Sequence, residues 1–448
     1  MMTERMHNWM NTQKAHQGLR RYLVDRQLQS IDRDEQHRRN RKRRRRIKTV
    51  ARLLIPLILI VRLLRPVLHI RFGHVLRHKI GHCPLEAELY LLERAGGVQP
   101  KGTLDLFHFD HGTDGQAANL FAEALVKRNL HIYWWVEILS AANRMVPGGS
   151  AHQISIDSRG TDSFKPGANK AQCDALGDRY ALMQSLPAQI QFRESEELLG
   201  RELLRQMGVP KDAPFVCVHV RDSSYWLQRK PSIGSESDYR NSDLRTYFPA
   251  MKAIAERGYY VLRIGARVSE PLPEIHPRVI DYTTTSRTEF MDVFLAARCT
   301  LMLSTASGID SITYCHRRAI LFANLASWDF VFPNYVQECR MLPKLFRRNS
   351  DMKILSMKEI YALNPDRLEP STEFFRENDI TLVDNSSEEI RDAAMEMLDV
   401  LEGKHEETEE AQELQARMRQ RLTKDRDFMV SPVKVAESFL LGHKEIFD

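Results

Sequence analysis

The chain has 448 residues, of which 43% are hydrophobic and 28% charged, a composition typical of a soluble globular protein with two or three domains. Its net charge of +6 is smaller than the charge of residues 37–46 alone, which include eight arginines and lysines. The remainder is close to neutral, so no nucleic-acid partner is expected. Six scattered cysteines without a CxxC pair argue against a disulfide framework and favour a reducing compartment.

Residues 1–66 form a basic arm followed by a short apolar segment. The first 46 residues are polar, so no cleavable signal peptide is predicted. Residues 53–61 are apolar, but Arg62 and Arg65 interrupt them at about half of the ~20 residues that span a bilayer. This pattern favours an interfacial helix on an anionic membrane, at the cytoplasmic face of the inner membrane. The alternatives are a helix docked on the protein's own body or on a partner, and a short spanning segment.

From about residue 67, short apolar runs alternate with amphipathic helices, which predicts βα units and a parallel sheet. In the first half, helices are predicted near Pro84 and Gly115, and strands at 68–72, 104–109, 131–135 and 153–156. Residues 188–213 predict a helical connection that ends at Gly208 and Pro210.

The second half repeats the alternation. Strands are predicted at 215–220, 259–264, 300–304 and 319–322, and helices at 243–257, 287–298, near Ser307, and at 387–401. The 243–257 helix is expected to be capped by Asn241 or Ser242, with Gly258 just past its end. Residues 404–448 predict a charged helical tail with a helix start at Ser431-Pro432. Two runs of βα units joined near residue 200 predict an α/β protein with two facing Rossmann-like domains, at 67–200 and 201–403.

The strongest local signal is a buried strand that ends in His219, Arg221 and Asp222. Ligands of parallel sheets bind at the carboxyl ends of the strands. The planar guanidinium of Arg221 suits phosphate oxygens. The alternative is a surface ion pair between Arg221 and Asp222.

A second signal is the hydroxyl- and glycine-rich turn at 304–308, which connects a strand to a helix. Backbone N–H groups and the helix dipole favour phosphate at such a turn, so Thr305, Ser307 and Gly308 are predicted ligand contacts. Routine helix capping is the alternative. Because this turn and Arg221 follow two strands of one sheet, together they favour a phosphorylated ligand.

Further candidates lie in a long polar loop and at another strand end. Arg240 is a candidate second cation and Asn241 a candidate cap; the alternative is that both lie in a solvated loop. Asp281 could accept a hydrogen bond from a base or a ribose; the alternative is that it lies in a surface turn. In the first half, Gly81 precedes a helix and allows close approach of a ligand, with His82 beside it.

No metal is expected at this chain's site. His74, His78 and His82 recur every four residues, but Gly73 and Gly81 oppose a continuous helix, and no cysteine or carboxylate completes a ligand set. The sequence also lacks HExxH, Walker, GxSxG and DxD-like motifs.

Together these residues resemble a bacterial family of candidate glycosyltransferases distantly related to the fucosyltransferase superfamily with its HxR motif. The matching segments are 77–82, 88–91, 218–222, 238–241, 280–282, 304–308 and 384–390. The resemblance implies a metal-independent GT-B fold, with the acceptor on the N-terminal domain and a sugar nucleotide held mainly by the C-terminal domain. No cofactor other than this donor is implied.

The resemblance also implies roles for individual residues. The HxR arginine, which contacts the β-phosphate of the donor in fucosyltransferases, falls on Arg221, and the HxR histidine falls on His219, near ribose and base. The 305–308 turn matches a phosphate-binding segment, and Asp281 is a base or ribose contact. The chain departs from the eukaryotic members because it lacks their disulfides. The spacing around Asp281 does not specify guanine, so fucose is one candidate sugar.

The chemistry that fits is displacement at the anomeric carbon, with Arg221 and the Ser307 turn stabilising the leaving diphosphate. Asp222, His82 and Glu86 are candidate general bases. The acceptor is a glycan, a lipid-linked sugar or a protein. Two rival functions are a different nucleotide-sugar or phosphosugar enzyme and a membrane-bound scaffold with a degenerate transferase fold. A missing GxGxxG motif counts against a dinucleotide enzyme.

Overall fold

The structure is a computed structural model that describes residues 38, 41–110, 115–154, 178, 180–224, 235–326, 338–363, 371–423 and 433–447. The described residues form two compact units. Unit 1 draws on Met1–His78, Gly102–Ala117 and His131–Ile154, and unit 2 on Lys79–Lys101, Ala118–Leu130 and Ser155–Asp448. The predicted α/β class is confirmed, because both units contain parallel strands flanked by helices.

Unit 1 is built on two parallel strands, β1 (His69–Leu76) and β2 (Thr103–Asp110). Single bridges extend this pair on both sides, from Phe72 to Gln153 and from Phe107 to Ile132. The strand predicted at 131–135 is therefore wrong beyond that one bridge, and residues 155 and 156 of the fourth predicted strand lie outside the described residues. The helix Val136–Arg144 and the 3₁₀ turn Gly149–His152 complete the unit's second half.

The apolar segment of the N-terminal region packs on unit 1 by one face. Residues 41–53 are helical, and the helix Ile55–Leu63 follows. Ala51 and Ile58 are fully buried in a cluster with Phe72, Leu106, Val136 and Ala142. This face therefore docks on the protein's own body, one of the alternatives that the sequence left open. Among the helices of the described residues, none combines the length and the apolar character of a membrane span.

Two neighbouring residues test this docking. Ile58 is fully buried, whereas Leu57 is 44% exposed. We expect Ile58→Ala to lower the free energy of unfolding by about 2–5 kcal/mol, because it leaves a cavity in the unit 1 core. Leu57→Ala is the matched control and should change it by less than about 1 kcal/mol. Urea denaturation followed by circular dichroism measures both, and equal losses would show that the helix is not docked.

Unit 2 contains a seven-stranded sheet in the order β11-β8-β7-β6-β3-β4-β5, with every paired neighbour parallel. Its strands are β3 (Phe215–His219), β4 (Tyr260–Arg263), β5 (Val279–Ile280), β6 (Leu301–Ser304), β7 (Ala319–Leu325), β8 (Cys339–Pro343) and β11 (Lys434–Val435). A separate antiparallel pair joins β9 (Leu345–Arg348) to β10 (Ile380–Val383). The strand order reverses between β3 and β6, and such a switch point is where open α/β sheets bind ligands.

The helices of unit 2 include two from the first half of the chain, Cys83–Ala95 and Leu120–Asn129, which the sequence assigned to the N-terminal domain. They pack against Asp310–Cys315 and Glu289–Arg298, respectively. The other α-helices that the described residues of unit 2 form are Leu182–Ser185, Glu194–Gln206, Phe248–Glu256, Tyr282–Thr285, Met357–Leu363, Thr372–Glu377, Ser387–Leu401, Glu409–Thr423 and Glu437–Gly442. Shorter 3₁₀ turns span Ser235–Arg240, Leu244–Tyr247 and Lys444–Ile446.

Two predicted helix starts are wrong. The helix expected near Gly115 begins at Leu120, because the side chain of Asn119 caps it by accepting a hydrogen bond from Ala122 N (2.8 Å). The helix expected at 243–257 is a 3₁₀ turn followed by a helix from Phe248, because Pro249 in the first helical turn lacks the N–H that a continuous α-helix would use. The cap is Asp243, which accepts from Arg245 N (2.9 Å), and not Asn241 or Ser242.

The 387–401 helix agrees with the prediction. It has a capping box between Ser386 and Glu389 and ends before Gly403, whose φ of 70° favours glycine.

The C-terminal tail is more than the predicted helices, because β11 pairs with β8 at one edge of the sheet. Gln415 is buried beside it, and its amide donates to Val435 O (2.6 Å) and accepts from Val435 N (3.1 Å). The glutamine thus provides hydrogen-bond partners for backbone groups of an edge strand that has no further neighbouring strand among the described residues. Ser431 and Pro432, the predicted helix start, lie outside the described residues.

Candidate functional site

Arg221 lies where β3 ends, next to the carboxyl end of β6. The two strands pair in register, with His219 opposite Ser304. Arg221 N donates to Thr305 Oγ1 (2.9 Å), and its guanidinium Nε donates to Asn241 Oδ1 (3.2 Å). The structure therefore brings together three predicted site residues from three separate segments, at the switch point of the sheet.

Arg240 is tied to the same turn. Its Nη2 donates to Ala306 O (2.7 Å), and Ala306 adopts a left-handed φ of 58°. Asn241 in turn donates from Nδ2 to Asp238 Oδ1 (2.9 Å). Asn241 thus orients Arg221 and is not a helix cap. Two arginines border the 305–308 turn, as a polyanionic ligand would require.

The turn itself differs from the prediction. The helix after it begins at Asp310 and has six residues, and Asp310 Oδ2 accepts from Ser307 N (2.6 Å) and Ser304 Oγ (3.0 Å). Asp310 is buried. The Ser307 N–H, predicted to bind phosphate, is therefore committed to an internal carboxylate. Any phosphate charge must instead be met mainly by the arginines.

Gly308 is required by packing. A Cβ on it would lie 2.9 Å from Ile80 Cγ2 and 3.1 Å from Gly81 N, and a Cβ on Gly81 would lie 3.1 Å from Gly308 Cα. Ser311 Oγ also donates to Ile80 O (2.9 Å). The close approach predicted at Gly81 is thus made by the Gly308 backbone, which brings His82 to the turn.

His82 and Glu86 form a pair on the helix Cys83–Ala95. His82 Nδ1 lies 2.9 Å from Glu86 Oε1, and the Glu86 side chain is buried while that of His82 is partly exposed. A buried carboxylate that accepts from Nδ1–H selects the tautomer in which Nε2 is the basic nitrogen. This is the arrangement of a general base with its orienting group.

Asp222 has a different environment from the one expected of a base. Its Oδ1 accepts from Ser224 N (2.8 Å) and its Oδ2 from Ser269 N (2.8 Å). Both oxygens therefore hold backbone segments at the edge of the site. This geometry favours a positioning role over proton transfer.

His219 and Asp281 are held within unit 2. His219 Nδ1 lies 3.2 Å from Ile264 O, and burial lowers the pKa of the imidazole, which keeps it neutral near pH 7. Asp281 Oδ2 accepts from Leu272 N (2.9 Å) and Thr284 Oγ1 (2.7 Å). Both lie at the ends of β3 and β5, and their base or ribose contacts stay predictions.

Lys344 lies beside the candidate site, although the sequence did not indicate it. It is buried, and its Nζ donates to Asn241 O (2.8 Å) and pairs with Asp384 Oδ1 (2.7 Å). Burial lowers its pKa, opposed by Asp384. The only sequence signal was Asp384 in the last matching segment, because a lysine between two strands looks like an exposed turn.

The comparisons with known proteins come from structure alone. No protein-family model and no curated protein sequence matches the chain. Similar solved structures include E. coli ADP-heptose LPS heptosyltransferase II, at 13% identity over 62% of this chain and 91% of that chain (TM-score 0.34). A glycosyl transferase family 9 protein from Veillonella parvula DSM 2008 is 11% identical over 74% of this chain and 97% of that chain (TM-score 0.41). A candidate UDP-N-acetylglucosamine 2-epimerase from Listeria monocytogenes is 10% identical over 57% of this chain and 79% of that chain (TM-score 0.26). All three TM-scores are below 0.5, so these similarities carry no argument about function. A function for this chain must be argued from the residues of its own site.

Metal ligands are not gathered anywhere in the part of the chain that the structure describes: it contains no group of three or more His, Cys, Asp or Glu side chains that could hold an ion. His74 lies in β1 and stacks on His108 with ring centroids 6.0 Å apart, whereas His82 precedes a helix. The four-residue spacing of the histidines therefore does not correspond to one helical face.

Asp310 gives the site a pH-dependent stability. Burial raises the pKa of its carboxyl to about 7, against the hydrogen bonds from Ser307 and Ser304. Since the folded state holds the proton more tightly than the unfolded state, the protonated carboxyl stabilises the fold fully below about pH 4, and this stabilisation is lost as the pH rises through 7.

Between pH 5 and 8 the free energy of unfolding of the wild type should fall by about 3 kcal/mol more than that of Asp310→Asn, which does not titrate. Urea unfolding at four pH values checks this, and parallel curves would contradict it.

Proposed function

We propose that this chain is a GT-B-type glycosyltransferase that moves a sugar from a nucleoside diphosphate donor to a glycan, a lipid-linked sugar or a protein. The observation that carries the proposal is Arg221 at the β3–β6 switch point, held by Thr305 and Asn241. Arg240 binds the same 305–308 turn by donating to Ala306 O. The resemblance of residues 218–222 to the HxR motif supports the same function.

The reaction follows from the charges at the site. The acceptor oxygen bonds to the anomeric carbon, the bond from that carbon to the phosphate oxygen breaks, and the electron pair stays on the nucleoside diphosphate. The guanidinium groups of Arg221 and Arg240 would stabilise this growing negative charge without a metal. Because these groups are already oriented by Asn241 and Ala306, little reorganisation is needed.

His82 is the general base in this proposal. It would take the proton of the acceptor hydroxyl on Nε2, while Glu86 stabilises the imidazolium from Nδ1. Asp222 is less suited because both of its oxygens already accept backbone hydrogen bonds. His82→Gln should lower turnover and leave nucleotide affinity unchanged, whereas a loss of affinity alone would remove His82 from this role.

Calorimetric titration of the full-length chain with UDP, GDP, CDP and ADP, each in EDTA, is the primary test. Binding of at least one nucleotide is expected, and a non-catalytic scaffold would bind none. Donor sugars of that nucleotide are then incubated with and without acceptors. Transfer in EDTA supports the proposal, transfer restored only by manganese or magnesium removes its metal independence, and an epimerised nucleotide sugar would identify the rival enzyme class.

A further inference from the structure

The helix Ile55–Leu63 and the residues around it expose an apolar face that the described residues of unit 1 do not cover. Leu53, Leu57, Ile60 and Leu64 follow one another at intervals of four, three and four residues, which places them on one side of a helix. Their exposed fractions lie between 44% and 76%. We call these four residues the outer face. The opposite side carries Ile58, which is buried in the core of unit 1.

Arg62 does not interrupt the outer face, although it interrupts the apolar run in the sequence. Its guanidinium turns towards unit 1 and donates from Nη1 to Pro147 O (2.6 Å) and from Nη2 to Asn143 O (2.8 Å) and Val146 O (3.0 Å). These carbonyls lie at and just beyond the end of the helix Val136–Arg144. Arg62 therefore acts as a cap for that helix, and its charge is directed away from the outer face.

A strongly basic stretch precedes the outer face. The exposed cations of helical residues 41–53 that make no ion pair with other described residues of unit 1 are Arg41, Lys42, Arg44, Arg45, Arg46, Lys48 and Arg52. Arg43 pairs with Glu137 and holds this stretch against the unit. The sequence has no aspartate or glutamate from Gln36 to Leu85. We call residues 41–48 the basic segment.

We propose that the outer face and the basic segment bind the surface of an anionic lipid bilayer, with the helix in the plane of the interface. From Leu53 to Leu64 the helix is about 17 Å long, too short for a ~30 Å hydrocarbon core but sufficient for shallow insertion. Cations without intervening carboxylates match a uniformly anionic surface, whereas a protein partner usually presents both signs. Because Ile58 and Arg62 already fix the helix to unit 1, binding requires no unfolding of the segment.

The test is co-sedimentation of the full-length chain with vesicles of phosphatidylcholine alone and of phosphatidylcholine with 30% phosphatidylglycerol. Binding is expected only to the anionic vesicles, and high salt should release only part of the protein, because insertion of the outer face is not screened. Equal binding to both vesicle types, or binding to neither, would overturn the proposal.

Two sets of variants separate the charge from the insertion. Arg44→Gln/Arg45→Gln/Arg46→Gln should weaken partitioning about fivefold per charge, or about a hundredfold in all, and Leu53→Asp/Leu57→Asp should weaken it tenfold or more. Leu198→Asp is the matched control, since Leu198 is an equally exposed leucine on a helix of unit 2. It should bind vesicles as the wild type does.

Two further measurements keep the result interpretable. Leu57→Trp should become quenched by bromolipids beyond the wild-type level, which reports insertion directly without a disruptive charge. Sedimentation velocity should show the same oligomeric state for the wild type and Leu53→Asp/Leu57→Asp. A dimer that these substitutions dissociate, with no vesicle binding by the wild type, would make the outer face an interface between copies. Nucleotide affinity should be unchanged in all variants, so failure here leaves the proposed function intact.

Discussion

Replacing Arg221 with lysine is expected to lower turnover about 100- to 1,000-fold while leaving the fold intact, the usual cost of losing one preorganised donor. The arginine donates from Nε to Asn241 Oδ1, and its planar guanidinium carries several N–H donors in a geometry that suits phosphate oxygens. Lysine has one nitrogen and cannot serve both partners. The backbone hydrogen bond from residue 221 to Thr305 does not depend on the side chain, so the loop should keep its place.

The informative readout is the difference between two affinities. Arg221→Lys should weaken binding of the nucleoside diphosphate and leave binding of the free nucleoside unchanged, because only the diphosphate meets the guanidinium. Arg245→Lys is the matched control, since Arg245 is exposed in the same unit and its one ion pair among the described residues is with Glu270 (3.2 Å). Near-wild-type turnover and diphosphate affinity in Arg221→Lys would remove the phosphate role and with it the proposed function.

The parts of this site that the sequence predicted are those encoded locally. An apolar strand ending at Arg221 and a hydroxyl-rich turn after another strand both follow from short patterns, and both lie at adjacent strand ends. Their adjacency across β3 and β6 could not be read from spacing. It is set by the strand order of the sheet, which depends on contacts between residues far apart in the chain.

Other features depend on tertiary placement and left little signal. No short pattern marks Asp310, and only the fold shows that its buried side chain accepts a hydrogen bond from Ser307 N. Arg62 looked like an interruption of an apolar run, and only the position of Asn143 shows that it points inward. In both cases one residue type fits two environments, and the fold selects between them.

Helix starts were misplaced for a related reason. Capping depends on which side chain reaches an N–H group, and several candidates are usually close in sequence. Asp243 caps its turn although Asn241 was an equally good candidate, because Asn241 is engaged by Arg221. A tertiary contact thus accompanies the choice of cap.

Arg317→Met is expected to lower the free energy of unfolding by about 3–5 kcal/mol, because it strands a buried carboxylate. Glu88 is fully buried and accepts from Arg317 Nη1 (2.8 Å) and from the backbone N–H groups of Gln189 (3.0 Å) and Ile190 (2.9 Å). Arg317 also donates to Met183 O (2.9 Å). One ion pair therefore fastens the segment 183–190 to the helix Cys83–Ala95.

The pH dependence of this loss distinguishes it from simple loss of packing. Burial raises the pKa of Glu88, and Arg317 opposes that rise. Without Arg317 the folded-state pKa rises further, so the folded variant binds its proton more tightly than the unfolded chain does. Its stability deficit should then be smallest near pH 4 and grow as the pH rises towards 8.

Two control variants test this cause. Arg317→Met/Glu88→Gln should recover part of the lost stability and should remove the pH dependence of the deficit. Arg205→Met, which removes an exposed pair with Glu202, should leave the unfolding transition in place. A deficit that is the same at pH 4 and pH 8, and that Glu88→Gln does not reduce, would show that Arg317 contributes by packing alone.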